Sequence, residues 1–391
     1  MGWRQYSTPI LTFTLFTILI ILPSEAQPKP KPQQPGPQPQ QPKPQQPGPL
    51  PQQPKPQQPG PLPQQPAAVL QQPGPQQPGP QQDDGLTLGF YAKTCPKVEN
   101  IVADTVKRAQ QKDPKLPAAF IRLLFHDCWI KGCDASILLD SSLNGKGATE
   151  KMNDANGLTI RGLEVIDEIK TQLEKECPKT VTCADIIAFA AREAVILAGL
   201  PRYDVVAGRY DSPYSRAPDA DNLPVPKDKL DDIIHEFAVR KLSLEDLVVL
   251  SGAHSIGRSQ CTRFSERLYT FKPGVPRDPD MDPAFADELA KKCPAQVPKG
   301  KEIEFMVDFD PTSPLKLDVQ YYLNLQKKKG LLATDQVLAT DPRTSGIVNK
   351  MAADPQGWGK KFIDAMARLG RVNTLKKDEG QIRVNCRAPI G

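Results

Sequence analysis

Proline decides how much of this chain can fold around a core. Of its 43 prolines, 21 lie between Gln27 and Gln82, a segment almost without large apolar side chains. Each proline fixes φ and removes an amide donor, so the segment can supply neither helix nor sheet ladder. Lys31–Pro42, Lys43–Pro54 and Lys55–Pro66 repeat a twelve-residue unit close to KPQQPGPLPQQP, and a degraded continuation runs to Gln82. Extended polyproline II broken by glycine in each copy is the expectation, giving a semi-rigid spacer over 27–82.

Two further boundaries follow. Arg4, the apolar run Ile10–Leu22 and the small-x-small triplet Ser24-Glu25-Ala26 have the order of a secretory signal peptide over residues 1–26. That run is too short to span a bilayer, and no later segment is apolar for long enough, so no transmembrane segment is expected. The remaining 83–391 can form one large domain with a substantial interior. The formal charge of +5 resides mostly in the tail, through Lys29, Lys31, Lys43 and Lys55. With no basic patch interleaved with aromatics, nucleic acid is excluded as an expected partner.

Within 83–391 the apolar spacing is helical. The predicted helices are Val98–Gln111, Ala118–Asp127, Leu163–Glu176, Ala184–Ala198, Leu230–Arg240, Leu244–Leu250, Phe264–Leu268, Pro283–Lys292, Val319–Lys328 and Trp358–Leu369. Ala217–Lys227 and Pro294–Pro314 read as loops or minor strands, so the fold class is mainly α. Eight cysteines, an even number with no C-x-x-C pair, suit disulfides in an oxidising compartment. Their spacing leaves the pairing open except for a local Cys128–Cys133 bridge.

The chemistry concentrates in Arg122-Leu-Leu-Phe125-His126-Asp127-Cys128 and the following Gly132-Cys133-Asp134-Ala135-Ser136. Positions i and i+4 of a helix share a face, so Arg122 and His126 reach into the same space. A fixed cation beside a neutral proton acceptor suits cleavage of a bond that sheds a proton and then negative charge. A second histidine, His254, ends an apolar helix at Ser251-Gly252-Ala253-His254-Ser255-Ile256-Gly257. Two such imidazoles could flank a flat iron cofactor, although R-x-x-x-H and helix-end histidines are common in other settings. The third, His235, reads as a solvated or half-buried helix position, and Asp335 taken alone reads as a turn aspartate.

Taken together, the motifs along 83–391 resemble the class III secretory plant peroxidases. Besides the segments around His126 and His254, the matching residues are Glu150-Lys151 with Asn156, Arg161-Gly162-Leu163-Glu164, Val181-Thr182-Cys183-Ala184-Asp185, Gly208-Arg209-Tyr210-Asp211-Ser212, Asn222-Leu223-Pro224 and Gly330-Leu331-Leu332 with Asp335-Gln336. The resemblance implies a multi-helix haem peroxidase fold with one haem b between distal and proximal halves. His254 would be the axial ligand and Asp335 would accept the hydrogen bond from its other ring nitrogen. His126 would move a proton from one oxygen of hydrogen peroxide to the other, Arg122 would stabilise the departing oxygen, and Asn156, with Glu150 behind it, would orient His126. Small phenolic donors would return the electrons singly, with the Pro224 carbonyl at their binding edge.

The same resemblance implies two calcium ions. The distal set is Asp127, Asp134 and Ser136 with the carbonyls of Ile130 and Gly132; the proximal set is Ser255, Asp310, Ser313 and Asp318 with the carbonyl of Lys316. It also implies the pairs Cys95–Cys177, Cys128–Cys133, Cys183–Cys386 and Cys261–Cys293, worth on the order of 3–5 kcal/mol for the largest loops. Departures are local. Tyr210 stands where arginine is usual and Trp129-Ile130 where Phe-Val is usual. Lys227 and Arg263 fall near the donor edge, and Lys115 replaces an arginine that contacts a haem propionate in some members. The expected protein is a secreted monomer of the apoplast or cell wall. Its tail would touch acidic wall polysaccharide through lysines or carry sugar on hydroxylated prolines. The alternative is a wall-anchored structural protein with a weakly active or inactive peroxidase domain.

Overall fold

The computed structural model describes residues 85–391 apart from Lys146, Gly157 and Leu158; the signal peptide and repeat tail predicted for 1–82 lie outside the described residues. Two helices that are apolar almost all round form the centre of the first half. These are α2 (Leu116–Ile130), with a proline in its first turn, and α4 (Cys183–Leu197), and they pack on each other. A helix apolar on every side must be covered on every side. The amphipathic α1 (Val98–Lys112) and α3 (Leu163–Glu176) supply cover over α4 with one face each. Thr182 caps α4 by accepting from the Asp185 amide at 3.2 Å.

The second half begins with α5 (Leu230–Val239) and α6 (Leu244–Ser251). Ser243 and Asp246 start α6 with a reciprocal capping box. A 3₁₀ turn, Gly252–Ser255, continues α6 and carries His254. The chain then runs through strand β1 (Arg258–Gln260), α7 (Ser265–Tyr269) and α8 (Pro283–Lys292), and returns as β2 (Met306–Asp308). The two strands pair antiparallel, with Arg258 opposite Asp308 and Gln260 opposite Met306. This short ladder delivers Phe309 to the turn that holds His254. A satellite core of Phe264, Leu268, Phe285, Leu289 and Val307 lies under the excursion, which Cys261–Cys293 closes.

Four helices complete the fold: α9 (Gln320–Gln326), α10 (Ala333–Thr340), α11 (Pro342–Ala353) and α12 (Pro355–Leu369). Two of them, α10 and α11, are absent from the helices predicted above, and Asp335 sits in the first turn of α10, not in an open turn. The signal for α11 is its cap, not periodicity. Asp341 accepts from the Arg343 amide at 2.9 Å and Pro342 opens α11. The four bridges are Cys95–Cys177, Cys128–Cys133, Cys183–Cys386 and Cys261–Cys293, the set the resemblance implies. Among the described residues no helix is long and apolar enough to cross a membrane.

Candidate active site

Helix α2 is buried along its length except at Ala118, Ala119, Arg122 and Phe125. Those positions recur at helical spacing and form one strip that no other part of the described chain covers fully, with His126 at its end. The turn bearing His254 has the same character: Ser251, Ala253, His254 and Gly257 are half-buried between buried neighbours. The two strips converge at one end. A Cβ placed on Gly257 would stand 3.1 Å from the Ala118 methyl, and Gly257 has φ +91°, so only glycine suits this close approach. Lys115 Nζ, at the start of α2, meets Asp308 Oδ1 at 2.7 Å on β2. The Lys115 charge is therefore engaged in this ion pair.

The protonation of His126 can be read from its partners. Asn156 Nδ2 donates to the Glu150 backbone carbonyl at 2.8 Å, so Asn156 Oδ1 is the atom 2.5 Å from His126 Nδ1. An amide oxygen can only accept, so Nδ1 carries the ring proton and Nε2 keeps a free lone pair. Burial, and after it the Arg122 charge, hold the imidazole pKa well below 6.5, against a smaller opposing effect of the Asn156 bond. His126 is a neutral base. Glu150 supports Asn156 through its backbone, while its carboxylate accepts from Ser136 Oγ at 3.1 Å.

Arg122 donates to the carbonyls of Thr159 at 2.8 Å and Ala155 at 3.1 Å. Burial, with the Arg263 charge second, lowers its pKa to about 10, so it remains a cation at neutral pH. On the proximal side His254 Nδ1 lies 2.8 Å from Asp335 Oδ1, which also accepts from Tyr321 Oη at 2.9 Å. Phe309 stacks on the His254 ring, with centroids 4.1 Å apart and planes 5° from parallel. With Nδ1 donating to a carboxylate, Nε2 is left as an electron-rich donor suited to iron. Neither Phe309 nor Tyr321 was found from sequence. Both lie in segments whose proximity to His254 depends on the β1–β2 pairing and on α9.

Pro224 is half-buried two residues beyond Asn222, which grips the end of α2 at two points. Its carbonyl accepts from Trp129 Nε1 and its amide donates to the Ile130 carbonyl, each at 3.2 Å. Arg263 spans from the proximal side to the distal loop, donating to the Asp154 carbonyl at 3.0 Å. Lys227 and His235 are exposed.

A protein-family model described as Peroxidase matches residues 102–354. Peroxidase 66 of Arabidopsis thaliana is 43% identical over 298 residues, covering 76% of this chain and 90% of that protein. Peroxidase C2 of Armoracia rusticana is 41% identical over 309 residues, covering 77% and 87%. The chain belongs to the peroxidase family. Its relatives place it with the plant class III peroxidases, and it is a helix-rich peroxidase enzyme.

For a class III peroxidase the two acidic clusters have an informative defect. Asp127 Oδ1 and Ser255 Oγ are fully buried and make no hydrogen bond. Such orphans cost free energy unless something absent from the chain itself meets them. Around Asp127, the Asp134 carboxylate and Ser136 are also buried. Asp310 is already supplied by the Thr312 and Ser313 amides, Ser313 Oγ and Asn324 Nδ2. Asp318 is half-buried and Lys316 exposed, so the distal set has the deeper carboxylates. Among the described residues no three carboxylate, imidazole or thiol groups cluster as a metal site. Either set would therefore rely on hydroxyl and carbonyl oxygens beside its two acids, a hard-ligand composition that suits calcium.

Proposed function

We propose that this peroxidase holds one haem b between the α2 strip and the His254 turn, and uses it to reduce hydrogen peroxide with phenolic donors. The carrying observation is the pair of imidazoles, each with Nδ1 tied and Nε2 free. When bound, the haem supplies an iron that accepts two oxidising equivalents from peroxide. The chain supplies the proton path and the charge. His126 Nε2 takes a proton from one peroxide oxygen and returns it to the other, which leaves as water. Arg122 offsets the negative charge that grows on the departing oxygen. Asp335, itself held by Tyr321, keeps the His254 ring oriented. Overall, one hydrogen peroxide and two phenols give two waters and two phenoxyl radicals. An absorption spectrum before and after peroxide, with guaiacol turnover, tests this reading; a protein that takes up haem yet shows neither spectral change nor turnover would overturn it.

Calcium at Asp127, Asp134 and Ser136, with the Ile130 and Gly132 carbonyls, completes the distal half in this proposal. Ser255, Asp310, Ser313, Asp318 and the Lys316 carbonyl form the proximal counterpart. Burial raises Asp134 from 3.8 to about 6 and Asp127 well above 3.8, so without a cation these acids prefer to be protonated. In cation-free protein the stabilisation from protonation is complete below about 4 and is lost as pH rises through about 6. Chelation should therefore lower the thermal midpoint more at pH 7.5 than at pH 5. Parallel midpoint curves with calcium and with chelator would remove the calcium assignment.

The remaining organisation belongs to the same proposal. Residues 1–26 direct secretion, 27–82 form the Pro/Gln-rich arm and 83–391 act as a monomeric peroxidase domain in the apoplast or wall. Four disulfides support an oxidising compartment. Deleting residues 27–82 should leave guaiacol turnover intact and release the enzyme from isolated walls at low salt. Equal retention of the full-length and shortened proteins would remove the wall-binding role of the arm.

A further inference from the structure

Two guanidinium groups from opposite halves of the domain hold consecutive carbonyls of one loop. Arg122, on α2, donates to Ala155 O, and Arg263, in the 3₁₀ turn Cys261–Arg263 after β1, donates to Asp154 O. Their heads are therefore neighbours at the open strip of α2. Among the described residues both heads bond to backbone carbonyls and neither is paired with a carboxylate. Like charges placed together repel unless solvent or an anion separates them, and Arg263 accordingly disfavours the charged form of Arg122.

Arg122 is largely buried and committed to two carbonyls. Arg263 is only half-buried and makes one hydrogen bond, through Nη2, which leaves its other N–H donors free to face an incoming molecule. A planar guanidinium presents paired N–H donors that match a carboxylate in two-point contact.

We propose that Arg263 is a specificity-determining residue that selects aromatic donors bearing a carboxylate, the hydroxycinnamate type, over their neutral alcohol counterparts. This rests on the peroxidase reading above and assigns the donor class within it. The carboxylate binds Arg263 at the mouth, and the phenol ring lies along the open strip toward the site of electron transfer.

The test compares kcat/KM for a hydroxycinnamate and for the alcohol with the same ring, in the full-length holoenzyme. Wild type should favour the acid, and rising ionic strength should shrink that preference. Arg263→Ala should lower the acid-to-alcohol ratio about tenfold, equivalent to about 1.4 kcal/mol, Arg263→Glu should lower it further, and Arg263→Lys should restore part of it. A ratio unchanged in Arg263→Ala, or a wild-type ratio insensitive to salt, would overturn the proposal. Failure of wild type to oxidise either donor would instead count against the peroxidase reading. The salt series needs no variant, so it decides the matter even if a substituted protein does not fold.

Discussion

His126→Ala should slow the reaction with hydrogen peroxide by about 10²- to 10⁴-fold, the range a positioned general base contributes. The substitution removes the only free imidazole lone pair on the distal strip, and no other described side chain there is a neutral base. Haem uptake should persist, because the proposed ligand is His254. Stopped-flow spectra of the first peroxide step separate this from a loss of donor oxidation. The pH dependence carries the same prediction in a second form. Burial and Arg122 depress the imidazole pKa, so the base is active at neutral pH and is lost only as pH falls to values well below 6.5. Asn156→Ala should reduce the rate less, and should move that acid limb to still lower pH, because the Asn156 bond favours the protonated ring. An acid limb at the ordinary imidazole value, or an unchanged rate in His126→Ala, would sink the assignment.

Much of this site was legible because its key groups are local in sequence. Arg122, His126 and Asp127 lie within one turn and a half of α2, so helical spacing alone places the first two on one face. His254 was visible as the end of an apolar helix. What sequence could not supply was the support brought from far along the chain. Phe309 reaches His254 because β1 and β2 pair across the excursion that includes α7 and α8, and Tyr321 reaches Asp335 from α9. Neither contact leaves a spacing signal. Lys115 illustrates the converse: its charge was evident, but its partner Asp308 lies 193 positions away. Helix α10 escaped because it is short and weakly amphipathic, and α11 because its buried face is only Thr344, Val348 and Met351, with Asp341 and Pro342 marking its start.

Two of the motifs that carry the family resemblance hold the halves of the domain in place, and their strength can be measured. Asp185, from Val181-Thr182-Cys183-Ala184-Asp185, is fully buried and meets Arg209, from Gly208-Arg209, at 2.6 Å. It also accepts from Tyr91 Oη at 2.7 Å and the Gly208 amide at 2.8 Å. Arg209 in turn donates twice to the Gly370 carbonyl just beyond α12, so one ion pair links α4 to the C-terminal helices. Asp185→Ala would leave a guanidinium buried without its counter-charge, together with an orphaned hydroxyl and amide. Breaking a buried pair from one side costs about 3–5 kcal/mol, a large share of the roughly 5–15 kcal/mol that holds a protein folded. The thermal or denaturant midpoint should fall accordingly, while kcat per folded, haem-loaded molecule stays near wild type. Replacing both partners with apolar residues of similar volume should recover much of the loss, since the cost lies in the stranded charge. A cost below about 1 kcal/mol for Asp185→Ala, or a kcat that falls with it, would move this pair from the framework into the reaction itself.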